Sequence, residues 1–533
     1  MAMLGGRAIY LQLMHKDFLQ TQGDARLIRT VPIPVHRGML LDRHGEPLAV
    51  STPVSSVWVN PKDFLAAREY WPHLAKALKR SPQSLGKLLE GRERREFVYV
   101  ERHIPPEQAE QIRTLDIPGV FLQREFRRFY PAGEVTAHVL GFTNIDDIGQ
   151  EGLELSLNDQ LQGTQGRKRV MHDRRGRIIS DIDLLQSATP GKDIHLTIDR
   201  RLAYLVYREL KAAVAYHQAK SGSAVMLDAQ TGEVLALINQ PTYNPNDRTD
   251  RDSRRFRNRA ITDVFEPGST LKPFTIAAAL ESGQYTPDSL VDTGNGYFRV
   301  NKYEVRDEGG YGWLSVANVV RRSSNVGAAK IALSLEPVQQ WEIYADSGFG
   351  EYVGSGFPGE VKGRLPHYDN WLPHQQASMA FGYGLNVTLL QLARAYLVIA
   401  NDGFLTPLRF VLTDEPPVEV SVMSPETAWQ LRKILASVTA EGGTGKLAQA
   451  PGYLVAGKTG TAQKSIPGGY AEGKYISMFV GIAPVDNPRL VMAIMLDEPS
   501  GGQYYGGEVA APVFAATMIN ALRLLNVPPE EAP

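Results

Sequence analysis

Ser269 and Lys272 stand three residues apart in Phe265-Glu-Pro-Gly-Ser-Thr-Leu-Lys-Pro-Phe274, and Ser323-Ser324-Asn325 and Lys458-Thr459-Gly460-Thr461 follow them along the chain. Residues three apart on a helix share a face, so the Lys272 amine can reach the Ser269 hydroxyl and take its proton. Pro267-Gly268 places that hydroxyl at a helix N-terminus, where the dipole favours an alkoxide and an anionic intermediate. A lysine is a base only when neutral, which requires burial or a neighbouring cation, and Lys458 is the candidate cation. Ser323 offers a second hydroxyl to pass protons. Lys458-Thr-Gly-Thr461 reads as a cationic strand that grips an anionic peptide end, its glycine letting a substrate backbone come close. This ordered set is a known one for acyl-serine chemistry.

Each motif alone is cheap. Ser84-Leu-Gly-Lys87 repeats the first spacing and Ser156-Leu-Asn158 the second. Ser84 falls mid-helix with no turn ahead of it and Ser156 in a helix without a matching partner, so both read as solvated polar positions. Lys-Thr-Gly occurs once.

The 533 residues can bury sizeable cores in two to four domains. With 43% hydrophobic and 22% charged residues and a net charge of -1, nothing global points to nucleic acid. The arginine-rich runs 167–177 and 251–259 are interrupted by aspartate and read as solvated faces. Cysteine is absent, which removes disulfides and thiol catalysis. The histidines lack metal-ligand spacing, so no metal and no cofactor is expected. No stretch approaches the ~20 apolar residues that span a bilayer. The chain opens on Met-Ala-Met-Leu-Gly-Gly and an amphipathic segment from Arg7 to Met14, from which a membrane anchor just upstream is expected.

The elements that must hold the three motifs follow from periodicity. Residues 1–200 mix short strands, helices and turns and read as a pedestal: a hairpin over 38–50, helical spacing over 61–90, and a helix that follows Gly149–Leu155 and ends near Gly163. A helix from Arg200 to about Gln218 then leads into a hairpin, 223–228 with 233–239. Strands are predicted at 458–463, 475–482 and 489–496, before a final helix over 509–525. The economical fold is α+β and multidomain: an elongated β-rich pedestal (1–200), then a catalytic domain (201–526) whose antiparallel sheet, built from both ends of the domain, lies between helices and carries a helical lobe. The tail 527–533 is expected to be disordered. Glycine-rich 464–474 reads as a mobile flap beside the Lys458 strand.

With these motifs the chain resembles a class B penicillin-binding protein. The likeness runs from about Arg37 to Phe514 and includes Arg37-Gly38, Asp42-Arg43, Arg128-x-Tyr130-Pro131, His138, Gly149-x-Glu151-Gly152-x-Glu154, Asn258-Arg259-Ala-Ile261, Gly382-Tyr-Gly384, Gly442-Gly-Thr-Gly445, Tyr505-Gly-Gly507 and Ala511-Pro-Val-Phe514. Phe265-Glu266, Asn325 and the Tyr-x-Gly-Gly ending resemble the septal, FtsI-like type, the penicillin-binding protein 3 family. The resemblance implies a penicillin-binding transpeptidase fold and a D,D-transpeptidase that cross-links peptidoglycan stem peptides ending in D-Ala-D-Ala and is acylated by β-lactam antibiotics. It implies Ser269 as nucleophile, Lys272 as general base, Ser323 as proton relay, Asn325 as holder of Lys272 and the substrate amide, and Lys458 as the positive charge near the terminal carboxylate. Thr459 and Thr461 would offer hydroxyls to that carboxylate beside Gly460, and the backbone N–H groups of Ser269 and Thr461 would form the oxyanion hole. It further implies the periplasmic face of a bacterial inner membrane, and a SEDS-type glycan polymerase and division proteins as pedestal partners. A D,D-carboxypeptidase or β-lactamase would share the motifs, and a non-catalytic β-lactam sensor or divisome scaffold would keep them as a shell.

Overall fold

The computed structural model describes Tyr10 and residues 28–172, 178–249 and 252–530. Apart from Tyr10, the amphipathic segment Arg7 to Met14 lies outside them, as do parts of both arginine-rich runs. No helix among the described residues is long and apolar enough to cross a membrane.

The first part of the chain carries strands β1 (Ile28–Ile33), β2 (Leu40–Leu41), β3 (Pro47–Val59), β4 (Val98–Ile104), β5 (Val120–Phe129), β6 (Gly166–His172), β7 (Ile178–Gln186) and β8 (Ile194–His195). They form one sheet in the order β1-β6-β7 and another in the order β4-β3-β2-β8, with β5 also paired to β3. The expected hairpin is β2–β3, turned by Asp42, whose Oδ1 accepts from the backbone of His44 and Glu46. The helical spacing over 61–90 becomes three short helices, Pro61–Ala66, Trp71–Ala77 and Pro82–Leu89, because a proline in each first turn restarts the helix. Together with β3, β4 and β5 they enclose a separate core that includes Val57, Phe64, Leu74, Leu85, Val98 and Ile112.

The rest of the first part does not stand apart. Leu40, Leu48, Tyr130, Leu140, Leu153 and Ile194 belong to the same continuous core as the catalytic sheet, so apolar burial runs across the expected boundary at residue 200. A buried ionic knot fastens this region: Glu154 Oε2 accepts from Arg37 Nε at 2.6 Å and its Oε1 from Arg128 Nε at 2.6 Å, all three side chains being at most 1% exposed. The Ser156-x-Asn158 copy serves here as scaffold. Asn158 Oδ1 accepts from Arg37 Nη1 at 2.9 Å, and Ser156 Oγ donates to Gly356 O at 2.7 Å, so neither is a merely solvated polar position. The 251–259 run likewise includes working arginines: Arg255 donates to Thr242 O, and burial lowers the Arg259 guanidinium.

The catalytic sheet is antiparallel throughout, in the order β10-β9-β13-β12-β11, from β9 (Ser221–Asp228), β10 (Val234–Gln240), β11 (Ala456–Ile466), β12 (Gly469–Ala483) and β13 (Leu490–Asp497). Its strands come from both ends of the domain, as the periodicity requires. β9 is buried along its whole length and β13 nearly so, which a strand achieves only when helices cover both faces. Six helices matter for the site: α1 (Arg200–Tyr216), α2 (Lys272–Glu281), α3 (Asn325–Leu333), α4 (Leu389–Ala400), α5 (Pro425–Thr439) and α6 (Ala511–Leu524). α1 and α6 pack together on one face, while α4 and α5 pack on the other and cover α2.

Residues 464–474 form the tip of the β11–β12 hairpin, which pairs Ser465 with Tyr470 and Ile466 with Gly469 around a turn at 467–468. One expectation changes. The tail is tied down as far as it is described: Val527 O accepts from Tyr453 Oη at 2.8 Å, and Glu530 N donates to Gly452 O at 2.9 Å.

Candidate active site

Two of the three motifs sit where one element gives way to the next, and the third lies within strand β11. Ser269 lies in the 3-10 turn Gly268–Leu271, and Lys272 opens α2, so the pair straddles a tightened helix start and not the body of one helix. This turn is wedged against strand β11: a Cβ on Gly460 would come 2.9 Å from Thr270 Cγ2, and one on Gly382 would come 2.0 Å from Gly268 O. Two glycines therefore set the height of the nucleophile above the sheet. Tyr396 Oη holds the turn from below by donating to Thr270 O at 2.8 Å.

Ser323-Ser324-Asn325 is an elbow between helices. The helix Val316–Arg321 ends just before it, and Ser324 caps α3 by accepting from Gly327 N at 2.8 Å. Ser323 takes φ +59, a left-handed conformation that normally falls to glycine or asparagine at a helix end. That bend turns both its hydroxyl and its carbonyl toward Lys272. Asp307 holds the elbow from outside, accepting from Asn325 N at 2.5 Å, Val326 N at 3.0 Å and Ser324 Oγ at 2.6 Å.

The three motifs converge on Lys272. Its Nζ lies 2.9 Å from Ser269 Oγ, 3.0 Å from Ser323 Oγ, 2.5 Å from Ser323 O and 2.8 Å from Asn325 Oδ1. Asn325 Nδ2 donates to Arg306 O at 3.0 Å, which fixes the amide with its oxygen toward the lysine. The carbonyls of Ser323 and Asn325 can only accept, so they occupy two amine hydrogens and leave the remaining position of a neutral amine to the serine hydroxyls. Lys458 Nζ reaches the same Ser323 Oγ at 3.0 Å. Ser269, Lys272, Ser323 and Lys458 thus form one hydrogen-bonded chain.

Burial, and after it the charge of Lys458, holds the Lys272 amine well below the usual lysine range, although Asp307 and Glu308 pull it upward. Burial brings Lys458 down to about 7. The sign of the pH dependence follows. Acyl transfer at Ser269 with Lys272 as its base would gain that base as pH rises through the depressed Lys272 pKa, and would lose a cation able to attract a carboxylate as pH rises past about 7. The expected kcat/KM profile for an anionic β-lactam is bell-shaped with an alkaline limb near neutrality, and the methyl ester of the same compound lacks that limb. A rate that climbs only above pH ~9, at an ordinary lysine pKa, would contradict this reading.

Lys458, Thr459 and Gly460 are buried on β11, the sheet's edge strand, while Ser269 and Thr461 are partly open to a cleft of ≈ 650 Å³. Thr459 Oγ1 donates to Thr444 Oγ1 at 3.0 Å, and Thr461 Oγ1 accepts from Gly506 N at 2.9 Å. All eight residues singled out from sequence therefore gather in one place, and no group that could hold a metal occurs among the described residues. Sequence reasoning gave no role to Asp307, which carries the elbow from 16 residues upstream with no local signal. It also missed the stacked rings of Tyr475, Tyr504 and Tyr505 beside the cleft, with centroids 4.2 and 4.5 Å apart. The Ser84-Lys87 copy stays far from such chemistry: Ser84 Oγ donates to Ser81 O at 2.6 Å on the helix Pro82–Leu89.

Residues 222–519 match the family model of the penicillin binding protein transpeptidase domain, and residues 32–196 that of the penicillin-binding protein dimerisation domain. The chain is 43% identical over 528 residues to the probable peptidoglycan D,D-transpeptidase PbpC of Pseudomonas aeruginosa, covering 99% of this chain and 93% of that one. It is 41% identical over 536 residues to the peptidoglycan D,D-transpeptidase FtsI of Escherichia coli, covering 99% and 90%. Among solved structures, penicillin binding protein 3 from Mycobacterium tuberculosis, complexed with aztreonam, superposes with a TM-score of 0.74 at 29% identity, over 94% of this chain and 98% of that one.

Proposed function

The chain belongs to the penicillin-binding protein transpeptidases, and from that premise we propose that its cleft cross-links peptidoglycan stem peptides through an acyl intermediate on Ser269. The observation that carries the proposal is Lys272 Nζ at 2.9 Å from Ser269 Oγ, buried and with its pKa depressed. Ser269 Oγ attacks the carbonyl of the penultimate D-alanine while its proton passes to Lys272. The backbone N–H groups of Ser269 and Thr461 receive the oxyanion, an arrangement worth about 3–4 kcal/mol per donor. Collapse breaks the C–N bond, the proton returns through Ser323 to the departing nitrogen, and D-alanine leaves. An acceptor amine then attacks the ester, loses a proton, and releases Ser269 with the new peptide bond formed. Lys458, Thr459 and Thr461 hold the donor's terminal carboxylate beside Gly460, and Asn325 holds its amide. A β-lactam enters as the donor does, but its ring-opened amine stays tethered, so the ester persists.

A septal role fits the FtsI relative, and with it the periplasmic face of the inner membrane, β-lactam sensitivity, and a glycan polymerase of the SEDS type with division proteins as partners of the first 200 residues. Intact mass spectrometry after a brief exposure to benzylpenicillin, and again after a long chase, tests the chemistry. The wild type should gain one persistent adduct that Ser269→Ala lacks. Rapid loss of the adduct with hydrolysed drug would instead indicate a β-lactamase-type hydrolase, and no adduct would leave a scaffold.

A further inference from the structure

Two adjacent acids at the cleft have opposite fates. Asp307 is consumed by the elbow, accepting three hydrogen bonds from Ser324, Asn325 and Val326. Glu308, the next residue, lines the cleft, is exposed, and makes no hydrogen bond or ion pair among the described residues. Of the other cations on the cleft wall, Arg306 pairs with Glu304 and Lys446 with Glu441, while Arg322 lines the same wall.

The charge of Glu308 reaches into the reaction centre. At Lys272, where burial and then Lys458 push the amine down, Glu308 acts with Asp307 in the opposite direction. At Tyr505, pushed up to about 12, the bond with Tyr504 comes first and Glu308 second. At Tyr311 burial comes first and Glu308 second. Glu308 thus lines the same cleft as Ser269 and the tyrosines Tyr311, Tyr475, Tyr504 and Tyr505, and an exposed carboxylate in a cleft lined with aromatic rings favours an ammonium. Residues 306–308 also flank Asn325, through Arg306 O and Asp307, and Asn325 is the side chain assigned above to the donor amide.

We propose that Glu308 is a specificity-determining residue that binds an ammonium group carried by the donor's acyl chain, on the far side of the scissile carbonyl from the Lys458 carboxylate site. This rests on the acyl-serine reading of the cleft. Stem peptides with a diamino acid near the scissile bond present such a group. So does a penicillin whose acyl side chain bears an amine.

Ampicillin and benzylpenicillin share a nucleus and differ by one α-ammonium on the side chain, so the ratio of their second-order acylation rate constants isolates the contact. In Glu308→Gln the ratio of ampicillin to benzylpenicillin should fall about five-fold, the size of one partly exposed ion pair. Raising the salt should shrink the wild-type advantage of ampicillin in the same direction. Glu308→Lys should lower the ratio further while benzylpenicillin still acylates Ser269. A ratio unchanged within two-fold in Glu308→Gln would overturn the proposal, and so would an equal loss with both drugs. An unchanged ratio with slower transfer of the acyl group to an added amine would place the ammonium on the acceptor, which also overturns it. Failure of wild-type Ser269 to react with benzylpenicillin would instead sink the acyl-serine reading itself.

Discussion

Lys272→Met is expected to slow acylation of Ser269 by benzylpenicillin by about 10²–10⁴-fold, the range that a positioned general base contributes. The lysine sits within hydrogen-bond reach of both hydroxyls in the relay, and the site offers no histidine or carboxylate in the same position. Methionine fills a similar volume in a fully buried slot but takes no proton, so the chain should stay folded while the serine keeps its ordinary reactivity. Stopped-flow acylation, with circular dichroism on the same samples, measures both. Less than a ten-fold loss would move the base elsewhere in the chain Ser269, Lys272, Ser323, Lys458, with Lys458 through Ser323 the next choice.

Glu154→Gln is expected to destabilise the folded chain by about 3–5 kcal/mol, the usual result of removing one partner from a buried ionic cluster. Its two oxygens serve Arg37 and Arg128 separately, and its backbone carbonyl accepts from Arg37 Nη2 at 2.7 Å. Without the carboxylate, two guanidiniums stay buried, and neither can shed its proton. Urea unfolding beside the wild type would show the loss, and a change below about 1 kcal/mol would mean that water or Asp147 takes over the charge. Replacing all three members with apolar residues of similar volume should recover much of the stability, because the cost lies in the unpaired charges and not in the missing bonds. None of the three lines the cleft, so acylation by the remaining folded protein should be unaffected.

The elements closest to the chemistry were the most legible. β13 is a run of eight residues with seven apolar side chains, and the Gln230-Thr-Gly232 turn after β9 marks a hairpin, so short length and turn signals read both as strands. α1 begins at an aspartate N-cap, Asp199, that a reader can see. Legibility failed where a local signal had two readings. Glycines 468, 469 and 473 suggest a flap without saying whether its backbone is paired; the cross-strand pairs Ser465–Tyr470 and Ile466–Gly469 make it a hairpin, and Lys464 ties it to Asp497 and Glu498 at 2.7 and 2.8 Å. Ser156 and Asn158 looked solvated because their partners, Gly356 and Arg37, are 200 and 121 residues away.

By itself the amino-acid sequence determined the reaction type, since a serine, a lysine, a second serine and a Lys-Thr-Gly strand in that order have few other joint uses. It also determined the sheet's construction from both ends of the catalytic domain, because hydrophobic period is a property of neighbouring residues. Only the tertiary structure decided what the spare Ser156-x-Asn158 copy holds together, that Ser323 must bend into a left-handed turn, that Asp307 supports the elbow, and that Glu308 is left without a hydrogen bond or ion pair among the described residues. Those are facts about pairs of residues far apart in the chain. Burial depresses the Lys272 amine, and burial is conferred by everything that packs around a side chain, not by its neighbours in sequence.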